Sequence, residues 1–206
     1  MKKLVCSLAA LFAFGIANAQ ETTITSEGFK QGDAFISGSV GFSNQKNGDF
    51  KTNTFNVSPK AAYFVSNNIA LGVSLGYSNV KQDIYNDFGD YYTQKNHSFN
   101  AGVFGRYYFT PANKFSFFAQ LGADYVSTKT EVAVYNSETT VNGFNIQLAP
   151  AISYFVSNHF ALEATFGILG YNTRKPNDDF GGNNSTNTFN FGLNLSNINF
   201  GAVYKF

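Results

Sequence analysis

The chain reads as an all-β protein: an eight-stranded antiparallel up-and-down transmembrane β-barrel. Three observations carry that reading. The stretch YFVSNNIAL at residues 63–71 returns almost letter for letter as YFVSNHFAL at 154–162. Phe-Asn pairs recur at Phe55-Asn56, Phe99-Asn100, Phe144-Asn145 and Phe189-Asn190, spaced 44, 45 and 45 residues apart. Apolar and polar side chains alternate along most of the chain, with the large apolar ones on one continuous face. A period of about 20–50 residues marks a repeated supersecondary unit. Here the unit is a hairpin, and four hairpins give eight strands.

The first nineteen residues stand outside this pattern. Lys2 and Lys3, an apolar run at 4–16 and Ala17-Asn18-Ala19 have the layout of a cleaved secretory signal. The run of 13 residues is shorter than the roughly 20 that a spanning helix needs. Cys6 leaves with the signal, so the exported chain of 187 residues has no thiol chemistry. Its charge falls to about −1 once Lys2 and Lys3 are gone, which gives no electrostatic case for nucleic-acid binding. Residues 20–32 are expected to be a short periplasmic leader, loose or forming a small plug. The barrel domain is placed at 33–206.

Each strand then follows from its alternation. Residues 34–43 put Ala34, Ile36, Val40 and Phe42 on one face and serines on the other. Residues 44–53 are polar and read as a loop. Phe55, Val57, Ala61 and Tyr63 descend to a Ser66-Asn67-Asn68 turn, and Ile69, Leu71, Val73, Leu75 and Tyr77 climb from it. After a loop at 82–96, Phe99 to Phe109 descend and Phe115 to Tyr125 return. Their alternation continues to a tight turn at Asn136-Ser137. The strand carrying Phe144 to Tyr154 ends at the second Ser-Asn-X turn. Phe160, Leu162, Ala164, Phe166 and Ile168 leave it as one run, and 172–187 form the last long loop. The closing run changes phase between Leu195 and Ile198, which a β-bulge at Ser196-Asn197 explains. Pro59 and Pro150 each remove a ladder donor, and bulges are expected there too.

The sidedness selects the solvent. Ser, Gly, Asn and Gln cannot fill the core of a water-soluble barrel to native density. They can line a narrow lumen whose outer face meets lipid, because closure satisfies every backbone hydrogen bond. Short turns alternate with long loops, so the short ones share one end. Tyr63, Tyr107, Tyr154 and Tyr204 fall on the outward face near that end, as an interfacial girdle would.

The two near-identical hairpins, the four repeats and the ending FGAVYKF at 200–206 resemble small outer-membrane barrels of the OmpA/OmpX-like class of Gram-negative bacteria. The resemblance implies residence in the outer membrane among lipid and lipopolysaccharide. It also implies that Phe206 and Tyr204 form the terminal signal by which the barrel assembly machinery captures the chain. No cofactor is expected.

The inward face holds Lys60, Arg106, Asp124, Glu163 and Lys205. An eight-stranded barrel is only just wide enough for its side chains to fill, so these charges are expected to pair as a structural network, with Lys60, Arg106 and Glu163 at one level. Catalysis has little to build on. His97 and Ser98 are neighbours and hence on opposite faces of a strand, and His159 lies in a short turn. No catalytic, cofactor or metal residue is assigned, and Asp83, Asp87 and Asp90 do not have EF-hand spacing. The expected role is therefore structural or adhesive, with an extracellular partner at the long loops. The alternative is a narrow channel for small or apolar solutes, as in OmpW-like proteins, and a lipid-modifying enzyme comes last.

Overall fold

The structure, a computed structural model, describes residues 27–48, 50–85, 91–132, 137–166, 168–176, 185–192 and 199–206. The expected signal peptide at 1–19 lies outside them, as do residues 20–26 of the expected leader. The described residues form ten strand segments: β1 (Ala34–Asn47), β2 (Phe50–Phe64), β3 (Ile69–Tyr85), β4 (Tyr91–Tyr108), β5 (Phe115–Val132), β6 (Ser137–Phe155), β7 (Phe160–Thr165), β8 (Ile168–Pro176), β9 (Thr186–Gly192) and β10 (Asn199–Lys205). β7 and β8 are the two halves of a seventh stave, and β10 and β9 those of an eighth. All pairings are antiparallel, and β10 pairs back onto β1 through Phe35–Lys205 to Gly38–Ala202, closing an eight-stave barrel.

The repeated motif folds the same way twice. In the first copy Val65 N–H and Ser66 N–H donate to the Ile69 carbonyl at 3.0 and 3.3 Å, and Ile69 N–H donates to Ser66 Oγ at 3.1 Å. In the second copy Val156 N–H and Ser157 N–H donate to the Phe160 carbonyl, and Phe160 N–H donates to Ser157 Oγ at 3.2 Å. The hydroxyl closing its own turn explains why Ser recurs there. Each turn includes the preceding Val and spans four residues, 65–68 and 156–159.

At the opposite end the polar stretches expected as loops are largely ladder. β1 and β2 stay paired up to Asn47–Phe50, with Gly48 in the left-handed region at φ 61°. β3 and β4 pair up to Tyr85–Tyr91, and β5 and β6 up to Val132–Ser137. Ser137 is therefore inside a strand, and Asn136 lies outside the described residues. The physical reason is uniform. Alternation reports a face that meets apolar surroundings, whereas a ladder with water on both faces keeps its hydrogen bonds and loses the pattern.

Two further expectations change. Pro59 causes no bulge: β2 meets β3 in one register from Val57–Tyr77 to Lys60–Ser74, and the ladder merely skips the positions between. Opposite Pro150 a bulge does occur, but in the neighbouring stave. Ala151 faces Thr165 and Leu148 faces Leu169, so three steps on β6 oppose four on the seventh stave. That bulge splits the run from Phe160 to Ile168. Phe160 and Leu162 point outward below it, while the outward residues above it are Leu169 and Tyr171. In the last stave Phe189 and Phe191 are outward above the phase change and Phe200 below it. Ser196 and Asn197 lie outside the described residues.

The outward face is an apolar band, and Val73 and Val103 pair near its middle, between Ile69 and Tyr77 on β3. Aromatic residues gather towards both ends of that band. Tyr63, Tyr107 and Tyr154 are exposed near the short turns, and Tyr77, Phe99, Tyr125, Phe144 and Tyr171 near the other rim. Tyr204 packs edge-on against Phe160 and Phe206, with ring centroids 5.0 and 5.2 Å away.

Candidate functional site: the filled lumen

Inward-facing side chains fill the half of the barrel nearest the short turns. Lowest is an aromatic floor supplied by the ends of several staves: Phe35 from β1, Phe64 from β2, Tyr108 from β4, Phe118 from β5 and Phe155 from β6, all buried. Its centre is Phe29, which belongs to no strand. This ring is 2% exposed and lies 4.7 Å from Phe64, 4.8 Å from Phe155, 5.2 Å from Phe35 and 5.4 Å from Tyr108, centroid to centroid.

Residues 27–33 thus cross the mouth as a cork. Phe29 N–H donates to the Pro111 carbonyl at 2.6 Å, and Gly32 N–H to the Phe64 carbonyl at 3.0 Å. Glu27 pairs with Lys114 at 3.0 Å on the exposed rim. Gly28 is required twice over: its φ of 109° suits glycine, and a Cβ there would collide with the Ala112 backbone.

Above the floor sits the charged layer. Arg106 is 2% exposed, and its Nη1 and Nη2 donate to Glu163 Oε1 and Oε2 at 2.6 and 3.2 Å. Nε donates to Gln120 Oε1 at 2.9 Å, and Nη1 also donates to the Tyr108 hydroxyl at 3.0 Å. The guanidinium lies over the rings of Phe118, Phe104 and Phe35 at 4.7, 5.2 and 5.3 Å. A buried charge persists when it is paired and its donors are met, and this arrangement supplies both. Gly72 leaves the space that the Phe104 ring occupies.

The five charges named from sequence do not form one network. Arg106 and Glu163 pair directly. Lys60 reaches the same layer only through Gln120 Oε1, at 3.5 Å. Asp124 stands higher in the lumen and accepts from Ser74 Oγ at 2.7 Å. Lys205 is apart from the rest at the mouth, where its Nζ donates to the Gly28 carbonyl at 2.6 Å and lies 3.9 Å from Asp33. Alternation assigns a residue to a face but not to a height, and Lys205 sits at the extreme end of its strand.

Sequence reasoning missed Gln120, Tyr108 and the aromatic floor. The signal was present as aromatic residues breaking the polar face, at Phe64, Phe104, Tyr108, Phe118 and Phe155, each close to a short turn. His97 lies at the far rim, its Nδ1 within 2.8 Å of Asn79 Nδ2 and 3.1 Å of the Tyr77 hydroxyl. His159 Nδ1 lies 2.9 Å from the Lys205 carbonyl oxygen. Among the described residues no cluster of His, Cys, Asp and Glu has the makings of a metal site. Asp83 accepts from Thr93 Oγ1 at 3.2 Å, whereas Asp87 and Asp90 lie outside the described residues.

A closed antiparallel wall, apolar outside and charged within, defines a membrane-spanning β-barrel. The chain belongs to the family of the outer membrane protein beta-barrel domain, whose model matches residues 6–206. Among solved structures, the outer membrane protein OprG of Pseudomonas aeruginosa shares the fold, with a TM-score of 0.57 and 15% identity over 88% of this chain and 99% of that one. The N-terminal barrel of Pseudomonas aeruginosa OprF aligns with a TM-score of 0.49 and 11% identity, covering 86% of this chain and all of that one. Neisserial surface protein A aligns with a TM-score of 0.44 and 16% identity, over 84% and 97%. No curated protein matches the chain.

Proposed function

We propose that this protein is a non-conducting envelope barrel, anchored by its apolar band and acting through the ladders at its long-loop end. One observation carries the reading. The Arg106–Glu163–Gln120 layer and the Phe29 cork fill the half of the lumen nearest the short turns, one above the other. Short turns face the periplasm and long hairpins the exterior. Lipid and lipopolysaccharide surround the band, and Phe206 with Tyr204 is the signal read by the assembly machinery after the signal peptide is cleaved.

The acting surface is the sheet of β3, β4, β5 and β6. An 18-residue strand such as β5, tilted about 40°, rises roughly 45 Å. The apolar band of such a barrel is about 25 Å tall, so the outer part of the β5–β6 hairpin projects into water. It is polar there, with Lys129 Nζ 2.9 Å from Glu138 and 3.3 Å from Glu131. A projecting ladder suits recognition by an extracellular partner through its edges. The test is binding of intact cells displaying the protein to host or matrix surfaces. Loss of binding on shortening this hairpin supports the role, and unchanged binding refutes it.

A further inference from the structure

Above the aromatic rim at the long-loop edge of the apolar band, the outward face of β1 to β4 turns basic. Lys46 on β1 stands directly opposite Lys51 on β2, and Lys81 on β3 directly opposite Lys95 on β4. All four are exposed. Alternate residues of a strand share a face, and each lysine lies four residues above an outward aromatic: Lys46 above Phe42, Lys51 above Phe55, Lys81 above Tyr77 and Lys95 above Phe99. The side chains of Tyr77, Asn79 and His97 meet on that face just below the second pair. Lys81 also pairs with Asn53 of β2, so Lys51, two residues along, is its diagonal neighbour. The four lysines therefore form one patch.

The patch is unfavourable as it stands. Like charges directly opposite one another in an antiparallel ladder destabilise it, and the arrangement occurs here twice. Among the described residues none of the four lysines has a carboxylate within ion-pair distance. Two acidic residues share the face beside them. Asp83 accepts from Thr93 Oγ1 at 3.2 Å, and Glu131, opposite Lys95, lies 3.3 Å from Lys129. Opposed residues have Cβ atoms about 4.5–5.5 Å apart, so two flexible ammonium heads can close on one anion. The height decides which anion. At about 3.3 Å per residue and a tilt of about 40°, four residues raise a lysine Cα about 10 Å above the aromatic rim. Aromatic belts mark the headgroup level, and a lysine stem reaches back down to it.

We infer that the patch binds the phosphomonoester groups of an outer-leaflet lipid, those of lipopolysaccharide, with each opposed lysine pair closing on one phosphate. A phosphomonoester carries about −1.5 to −2 charges at neutral pH and three acceptor oxygens, which suits two ammonium groups with three protons each. The wall below the patch fits the rest of such a molecule. On the outward face of the same staves lies an apolar groove of about 410 Å3, floored by Gly38 and Ala61 and bordered by Val40, Val57, Val73 and Leu75. A soluble polyanion would leave that groove unused, whereas a lipid lays an acyl chain along it. The inference rests on the reading that the long hairpins face the exterior. It does not depend on whether they adhere to a partner or whether the lumen conducts.

The test uses the full chain folded in dodecyl maltoside, with binding read by native mass spectrometry. The probes are diphosphoryl lipid A, the same lipid stripped of its phosphates, and inorganic phosphate. The parent retains the diphosphoryl lipid and not the stripped one, which keeps the acyl chains and loses the charge, and excess inorganic phosphate does not displace it. Lys81→Gln combined with Lys95→Gln lowers retention about thirtyfold. Lys129→Gln removes a lysine already paired with two glutamates and leaves retention unchanged. Equal retention of the stripped lipid, displacement by inorganic phosphate, full retention by the double variant, or an equal loss in Lys129→Gln overturns the inference. Heat-modifiable migration on a gel checks the fold of the variants, and the stripped lipid decides the matter on the parent alone. Detergent has no sides, so failure there speaks against the site and not against the orientation. The orientation is read separately, from Lys81→Cys on intact cells with a membrane-impermeant maleimide. Labelling of intact cells is expected. Labelling only after the cells are opened would overturn the exterior placing of the hairpins, and with it the outer leaflet as the source of the lipid.

Discussion

Glu163 reaches across the lumen from β7 to grip Arg106 on β4 with both carboxylate oxygens. The two staves are not neighbours in the wall, so this pair braces the barrel across its width. Removing one partner leaves the other charge buried without compensation. Glu163→Gln is expected to cost about 3–5 kcal/mol, read as a lowered urea midpoint for unfolding in detergent. Arg106→Met combined with Glu163→Leu is expected to recover most of that loss. A Glu163→Gln barrel as stable as the parent would show that the pair braces nothing.

The apolar face carries a second prediction. Val103 is 61% exposed on the outside and pairs with Val73 at mid-band, whereas Leu71 lies one outward position nearer the short turns. Val103→Arg is expected to destabilise the barrel in bilayers by about 2–4 kcal/mol, and Leu71→Arg by somewhat less. Ser127→Arg, on the outward-facing row of β5 beyond Tyr125, is expected to be nearly neutral. Equal costs at Val103 and Ser127 would contradict the placing of the membrane.

The cork makes a third. Lys30 is exposed but held between Phe29 and Asp33, to whose carboxylate its N–H donates at 2.9 Å. Phe29→Ala deletes the ring that holds the segment in the mouth. Burial of a Phe is worth about 3–5 kcal/mol, enough to undock a short segment without unfolding eight staves. Trypsin cleavage after Lys30 is expected to accelerate at least tenfold while the barrel keeps its heat-modifiable migration. An unchanged rate would mean that the ring does not hold the cork.

The projecting hairpin makes a fourth. Lys129 pairs with Thr140, so residues 129–140 lie beyond the Thr128–Val141 pair, and 129–132 also pair with residues 94–97 of β4. Replacing 129–140 with Asn-Gly supplies the two-residue turn that the β5–β6 ladder needs. The shortened protein is expected to fold, with a small loss of stability from the freed edge of β4, and to lose cell-surface adhesion.

The parts of the fold that were legible in sequence are those touching lipid or closing a tight turn. Tyr63, Leu71, Tyr154 and Leu162 could be placed because lipid on one face imposes a period of two. The Ser66 and Ser157 turns could be placed because a short connection needs a hydroxyl to close it. Beyond the membrane that constraint lapses, and the ladders at 44–47 and 82–85 were unreadable for that reason. The site was legible by face alone. Arg106 and Glu163 were recognisable as inward charges, but their pairing, and the place of Lys205 at the mouth, depend on the height at which each strand is set in the barrel. The cork was hardest to see, because a single Phe in a polar leader has no period to betray it.

The central claim is a lumen sealed by a charged layer over an aromatic floor. Single-channel recording of the purified protein in planar bilayers tests it most directly. The sealed barrel predicts no resolvable unitary current from the parent protein, with brief openings only when Phe29→Ala and Arg106→Ala are combined. Steady unitary conductance from the parent would contradict the sealed lumen and make the protein a narrow channel.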